Sequence, residues 1–499
     1  MNPTLLLYLL IGISVSLIIR IGLWGLFRKA GQKGWKALIP IYSDYIWIQL
    51  IGKPKWWIVL TLIPLVRTLV KITMNIELAN AFGRYTFWDH LQAVILPFFF
   101  FPKIGWHTPN TYLGPLETHK NVPAKSGFRE WADAFLYAGV AALIIRTFFI
   151  ENYKIPTSSM ERTLMAGDFL FVSKFHFGPR LPIVPLALPF VHNKVKVGSL
   201  VMPTYLDWVR MPYTRLPGLG EVERNDIVVF NYPAHDIHDL GDGAGMVKPT
   251  SLKENYVKRC VAIPGDTLEI KDTQLYINGE KGWNPPNMQQ SYIVKTNGTG
   301  FPRRTLKKLG FRKADSENPN YIRLNSSTPT YLFWMTEDVL GEMSNLGNVT
   351  EIQPRIVPVG QFDPSGNIYP KFGNKQGELF SHNIDNFGPL VIPRKGMTVS
   401  LTPHNLSSYA RVINAYEGHD LSVDIAQGEV KIDGVVQESY TFDMDYYFMM
   451  GDNRHNSEDG RAWGFVPEDH IVGKPLLIWL SYEPDFGLRF ERMGTKYFN

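Results

Sequence analysis

Asn255-Tyr-Val-Lys-Arg-Cys-Val-Ala-Ile263, closed by Pro264-Gly265-Asp266, reads as a strand ending in a turn. Strand alternation sets Tyr256, Lys258 and Cys260 on one face and Val257, Arg259 and Val261 on the other. The same pattern recurs on both sides. Upstream, Asp168-Phe-Leu-Phe-Val-Ser173 and Asp226-Ile-Val-Val-Phe230 are short apolar strands. Downstream, Thr267–Ile270 and Gln274–Ile277 form a hairpin followed by an Asn278-Gly279 turn. Strands at this spacing predict a mainly β, antiparallel domain rather than a βαβ fold. Residues 280–440 are rich in Asn, Gly, Pro, Ser and Lys and too long for a loop, so they read as an inserted β subdomain. Within them Val430-Lys-Ile-Asp-Gly434 echoes Leu275-Tyr-Ile-Asn-Gly279, which two hairpins explain as well as a faint repeat does. Order resumes at Tyr446-Tyr-Phe-Met-Met450 and continues through Ile471–Leu480. The domain thus has a first part at 151–279, a second part at 441–485 and a tail at 486–499.

The first 150 of the 499 residues hold the long apolar runs. Leu5–Phe27 carries one charge, Arg20, and is followed by Arg28, Lys29, Lys33 and Lys36. A cleavable secretory signal has its basic residues before the apolar stretch, so this order predicts a retained anchor whose C-terminal end faces the cytoplasm. Trp56–Val70 and Leu91–Phe101 are weaker runs, each a span or an interfacial segment. Residues 1–129 therefore form an N-terminal membrane region, and residues 130–150 a second anchor. Lys120, Lys125 and Arg129 precede Trp131–Ile150, which at about 1.5 Å per residue just crosses a core of about 30 Å. Two spans or four satisfy the basic loops equally, and both place the β domain outside the cytoplasm. The net charge of +5 is mild and the basic residues are scattered, which argues against nucleic acid. The single cysteine, Cys260, excludes an intrachain disulfide framework.

Three stretches carry candidate chemistry. Ile155-Pro-Thr-Ser-Ser-Met-Glu-Arg-Thr-Leu164 places three hydroxyls beside a rigid proline. Ser158 and Ser159 either cap a short helix at Met160–Leu164 or include a nucleophile in want of a base. Lys258 is either a surface lysine on an edge strand or a desolvated amine able to take a proton from a serine. Gly451-Asp-Asn-Arg-His-Asn-Ser-Glu-Asp-Gly-Arg461 is either a solvated turn or a hydrogen-bonded floor under a site; its spacing is not that of an EF-hand. His235-Asp-Ile-His238-Asp239 looks like a ligand cluster, but no further ligands stand at metal-site spacing, so it reads as a solvated loop.

Together, in order and spacing, these stretches resemble the bacterial type I signal peptidases, membrane-anchored serine–lysine proteases. The resemblance spans residues 131–275 and 441–480 and rests on 155–168, 225–230, 256–266 and 450–461. It implies a signal-peptidase-like antiparallel β catalytic domain. By it Ser159 is the nucleophile, Lys258 the general base, and Ser457 the hydroxyl that orients the amine. The Ser159 N–H and the Thr157 hydroxyl hold the oxyanion, and Asp459 and Arg461 support the site. Tyr153, Ile155, Pro156, Tyr256 and Val257 line small S1 and S3 pockets. Cys260 beside the base departs from the family pattern. The implied reaction is removal of N-terminal signal peptides after small P1 and P3 residues, without cofactor or metal. The implied partners are preproteins, the lipid bilayer and, transiently, the export machinery. The implied location is the bacterial inner membrane, multi-pass, with the catalytic domain on the periplasmic side. The alternative is a catalytically silent relative that binds exported proteins.

Overall fold

A computed structural model describes residues 3–496 except 63, 108, 120–125, 185–186, 188–193, 198–199, 207, 209, 234–248, 313–317, 326, 328, 362–366, 371–378 and 425–428. The His235–Asp239 cluster, Lys120 and Lys125 lie outside the described residues. The chain divides into two compact units, Met1–Phe148 with Val184–Pro212, and Phe149–Ile183 with Tyr213–Asn499.

Long helices dominate the first unit. Helix α1 covers Pro3–Lys29 and helix α2 covers Gly127–Phe148. Among the described residues these two are long and apolar enough to cross a membrane, with mean hydropathies of 2.0 and 1.3 over their best windows. Trp56–Val70 falls on helices Trp57–Leu62 and Pro64–Ala81, and Leu91–Phe101 on Phe87–Ile95 and Pro97–Pro102. Pro97 opens a new helix after Leu96, because proline has no N–H to continue the preceding one. Gly22 and Gly25 let α1 lie directly on residues 101–105; a Cβ on Gly22 would stand 2.6 Å from the Pro102 nitrogen. Leu26, Phe27, Trp47, Met74 and Phe101 fill the core beneath. Asp44 is buried there and neutralised by Lys71 at 2.5 Å and Arg67 at 3.2 Å, as a buried carboxylate requires.

The second unit is built on one antiparallel sheet. Its strands are β1 (Ile150–Lys154), β2 (Asp168–Ser173), β3 (Ile227–Asn231), β4 (Asn255–Ala262), β5 (Tyr446–Met450), β6 (Val466–Pro467) and β7 (Ile471–Glu483). They lie in the order β1-β2-β7-β3-β4-β5-β6, and an eighth strand, β8 (Gly487–Leu488), pairs with β7 off this path. Every residue of β3 is buried, which matches its unbroken apolar sequence. The predicted hairpin Thr267–Lys271 with Gln274–Ile277 forms in antiparallel register. Its turn residues Asp272 and Thr273 both have positive φ, as do Asn278 and Gly279 in the next turn, the geometry of two-residue hairpin loops.

The insert is less purely β than its composition predicts. It holds a four-stranded sheet ordered Tyr321–Asn325, Thr330–Met335, Gln290–Thr296, Val349–Pro354. Helices Arg303–Lys308, Glu337–Ser344 and Pro403–Arg411 accompany it. Thr336 and Thr402 cap the latter two by accepting from Val339 N–H and Asn405 N–H. Nor is 280–440 one body. Phe387–Val391 joins the 267–281 hairpins, and Phe387, Leu390, Tyr409 and Val412 share a core with Leu268, Ile270, Tyr446 and Phe448.

Candidate active site

Lys258 stands in β4, with Val228 of β3 opposite it. Its side chain is 5% exposed, and its Nζ donates to Ser159 Oγ at 2.6 Å, the one hydrogen bond of this amine among the described residues. Burial pushes the amine down from 10.5 to about 8, against the opposing pull of Asp459, Glu458 and Asp452. The Tyr256 ring lies 5.6 Å from the same nitrogen.

Ser159 belongs to a tight turn, not to a capped helix. The turn is pinned where Ile155 N–H donates to Asp168 C=O and Gly167 N–H to Ile155 C=O. Met160 and Leu164 are fully buried and anchor it from below. Arg162 adopts φ +68°, a left-handed value that stops a helix from propagating. Thr157 Oγ1 lies 3.5 Å from Ser159 Oγ. Ser158, the competing hydroxyl, is buried and accepts from Asn456 Nδ2 at 3.0 Å, not from Lys258.

The 451–461 loop forms the floor. Asn453 N–H donates to Ser159 C=O at 3.1 Å, and Asn453 Nδ2 to Ser158 C=O at 3.1 Å. Asp452 takes a forked bond from Arg259 Nε and Nη2 at 2.8 and 2.7 Å, and another from Thr163 Oγ1 at 2.7 Å. Asp459 takes the Arg461 fork at 2.9 and 2.8 Å and the Gly451 N–H at 3.0 Å. Burial alone would raise the Asp459 carboxyl, but Arg461 and the Gly451 N–H hold it below the usual carboxylate range. Gly451 is required by space: a Cβ there would overlap Ser457 Oγ and stand 2.5 Å from the Ser159 carbonyl oxygen. Among the described residues Ser457 Oγ makes no hydrogen bond with Lys258 Nζ; its hydroxyl donates to the Glu458 carbonyl at 3.5 Å.

A cleft of about 630 Å³ opens over Ser159 and Lys258. Tyr153, Ile155, Pro156, Tyr256 and Val257, the residues expected at the pockets, all line it. The sequence reading missed Leu170 and Val229 on the apolar wall and Asn318, Asn456, Glu254 and Glu458 at the polar rim. Asn453 and Asn456 were signalled by the polar density of the 451–461 loop; Asn318 had no local signal. Cys260 is fully buried, packs with Phe230, Met449 and Trp463, and donates weakly to Ala262 C=O at 3.4 Å. It is a core residue, and burial pushes its thiol up. Among the described residues no His, Cys, Asp and Glu cluster could hold a metal.

The signal peptidase family, peptidase S26, matches residues 128–318 and 407–480, just over half of the chain. The chain belongs to the signal peptidase family. Both matched segments contain the geometry above: Ser159 and Lys258 in the first, the 451–461 loop in the second. A signal peptidase I of Buchnera aphidicola subsp. Acyrthosiphon pisum is 25% identical over 391 residues, covering 77% of this chain and 86% of the relative. That of Pseudomonas aeruginosa is 23% identical over 381 residues, 73% of this chain and 78% of its own. That of Haemophilus influenzae is 24% identical over 369 residues, 70% and 71%. Residues 35–115 match a second family, one of unknown function (DUF5684). As a signal peptidase the chain is a serine endopeptidase associated with membranes, a character its long apolar helices share.

Proposed function

We propose that the chain removes signal peptides from exported preproteins with Ser159 as nucleophile and Lys258 as general base. The observation that carries this reading is the 2.6 Å contact between a serine hydroxyl and a buried lysine amine at the floor of an apolar cleft. An amine lowered to about 8 is neutral in a useful fraction near neutral pH, and its lone pair can accept the Ser159 proton. The alkoxide attacks the scissile carbonyl; the ammonium then returns the proton to the leaving amine. The acyl-enzyme ester is opened by water that Lys258 deprotonates in turn. On this reading Ser159 N–H and Thr157 Oγ1 receive the oxyanion, and Ile155, Tyr256 and Val257 of the cleft select small P1 and P3 side chains. Asp459 and Arg461 keep the loop under Ser159 rigid, and Ser457 is an auxiliary hydroxyl beside it.

Thr157→Val is expected to lower kcat by about 10²–10³, the usual cost of one oxyanion donor, with KM little changed. Steady-state cleavage of a purified preprotein checks this; an unchanged kcat removes Thr157 from the oxyanion site. The pH profile follows from the sign of the Lys258 shift. A depressed amine is protonated and inactive below its folded pKa, so kcat/KM should rise with pH and level off above about 8. A profile that is flat from about pH 6 to 10 would exclude Lys258 as the base.

The proposed topology has α1 and α2 crossing the inner membrane, with the basic residues Arg28–Lys36 cytoplasmic and the catalytic unit periplasmic. Ser159 follows Phe148, the end of α2, by eleven residues in the chain, suiting a substrate cleaved as it leaves the bilayer. Lipid and, transiently, the export machinery are the remaining partners of this reading.

A further inference from the structure

The nucleophile turn is gripped by a part of the chain about 150 residues away. Glu161, two residues after Ser159, is fully buried, and both its carboxylate oxygens accept from Arg312 Nη2 at 2.8 Å. Arg312 is itself 1% exposed. The next residue, Arg162, sends Nη2 to Leu309 C=O at 2.5 Å from its strained left-handed backbone. On the other side of Ser159, Asn318 Nδ2 donates to Pro156 C=O at 3.0 Å. The insert residues are tied to one another as well. Arg312 N–H donates to Asn320 Oδ1 at 2.9 Å, Asn320 Nδ2 to Gly310 C=O at 3.0 Å, and Arg312 Nη1 to Asn318 C=O at 3.3 Å. Gly310 has φ +81°, and a Cβ on it would stand 2.6 Å from Arg162 Nη2, so the insert backbone is shaped to admit that guanidinium.

Contacts thus bracket Ser159 at Pro156, Glu161 and Arg162, and all come from one short stretch of the insert. The turn's own backbone bonds run from Glu161 N–H to Ser158 C=O, from Thr163 and Leu164 N–H to Met160 C=O and from Gly167 N–H to Ile155 C=O, and none of them is made by Ser159 itself. We propose that Arg312 and Asn318 are positioning residues for the nucleophile, acting on Ser159 through Glu161 and Pro156. This rests on Ser159 being the nucleophile. The insert, on this view, is part of the catalytic apparatus rather than an appended module.

The test uses the full chain in detergent and a purified preprotein, with kcat, KM and Tm read for each variant. Asn318→Ala is expected to lower kcat about tenfold, with KM within about twofold and Tm unchanged, since displacement of a reacting group acts on kcat. The double variant Arg312→Met/Glu161→Met is made in a Glu483→Gln background, because Glu483 Oε1 lies 4.0 Å from Arg312 Nε and would otherwise be left as a lone buried charge. It is expected to keep its Tm and still lose about tenfold or more in kcat. A kcat within about twofold of the parent in a folded double variant, or an Asn318→Ala effect confined to KM, would overturn the proposal. Should the double variant fail to fold, Asn318→Ala decides alone. Ser159→Ala run alongside separates the two levels. If it still cleaves, the nucleophile assignment fails and the positioning role with it; if it is inactive while Asn318→Ala is normal, only the positioning role fails.

Discussion

Lys258→Met should abolish preprotein cleavage, lowering kcat/KM by about 10⁴ or more, while leaving the protein folded. The magnitude follows from the absence of a substitute. The other titratable side chains lining the cleft are Tyr153, Lys154, Glu254, Tyr256 and Glu458, and none of them bonds Ser159. Without a base, Ser159 must lose its proton to water, and the effect should match that of Ser159→Ala, because two groups that act as one unit fail together. Lys258→Arg should be as inactive, since a guanidinium stays protonated throughout the accessible pH range. Stability separates this from unfolding. Burial disfavours the Lys258 ammonium, so an apolar methionine should hold or raise Tm at neutral pH. Single-turnover cleavage with thermal scans of the same samples checks both halves. Residual cleavage within tenfold of the parent would require another base.

The second large effect is on stability. Asp452→Ala should destabilise the protein by about 3–5 kcal/mol, because it strands the Arg259 guanidinium in the interior. Asp452 is fully buried and Arg259 is 5% exposed, and their forked bond is the principal satisfaction of both charges. Among the described residues Arg259 would keep its hydrogen bond to Asn225 C=O and the Trp283 ring 5.2 Å away, neither of which carries a negative charge. Thr163 would lose its acceptor as well. At about 2–4 °C per kcal/mol for a large domain, Tm should fall by about 6–20 °C. Arg259→Met on top of Asp452→Ala should recover part of the loss, since no lone charge then remains. Differential scanning of the three proteins measures it; a Tm within about 2 °C for Asp452→Ala would mean that Arg259 finds another partner.

How much of this was legible from sequence depends on the range of each interaction. β2, β4 and the 267–277 hairpin are local: alternating apolar residues and Asx-Gly turns specify them, and they formed within a residue or two of the expected limits. The short helices at 337–344 and 403–411 were hidden, since one threonine cap before a single amphipathic stretch is a weak signal inside a polar region. The runs at 56–70 and 91–101 read as spans or interfacial segments, and apolar counting gives no sign of the break that Pro97 makes in the second. The meeting of Ser159 with Lys258 was legible only through the order of four motifs, for nothing local brings residues 99 positions apart together. Arg312 and Asn318 gave no warning. Their partners lie 151 and 162 positions away, and each looks like an ordinary surface residue in a loop.

The strand order of the catalytic sheet has a bearing on how the enzyme comes into being. The long strand Ile471–Glu483 is made late in synthesis and is an inner one, lying between Asp168–Ser173 and Ile227–Asn231. Until it emerges from the ribosome, the two halves of the sheet are not joined and each shows a bare edge. The loop that supports Ser159 is likewise made only at residues 451–461. A nascent chain therefore carries Ser159 for some 300 residues of synthesis before the loop beneath it exists.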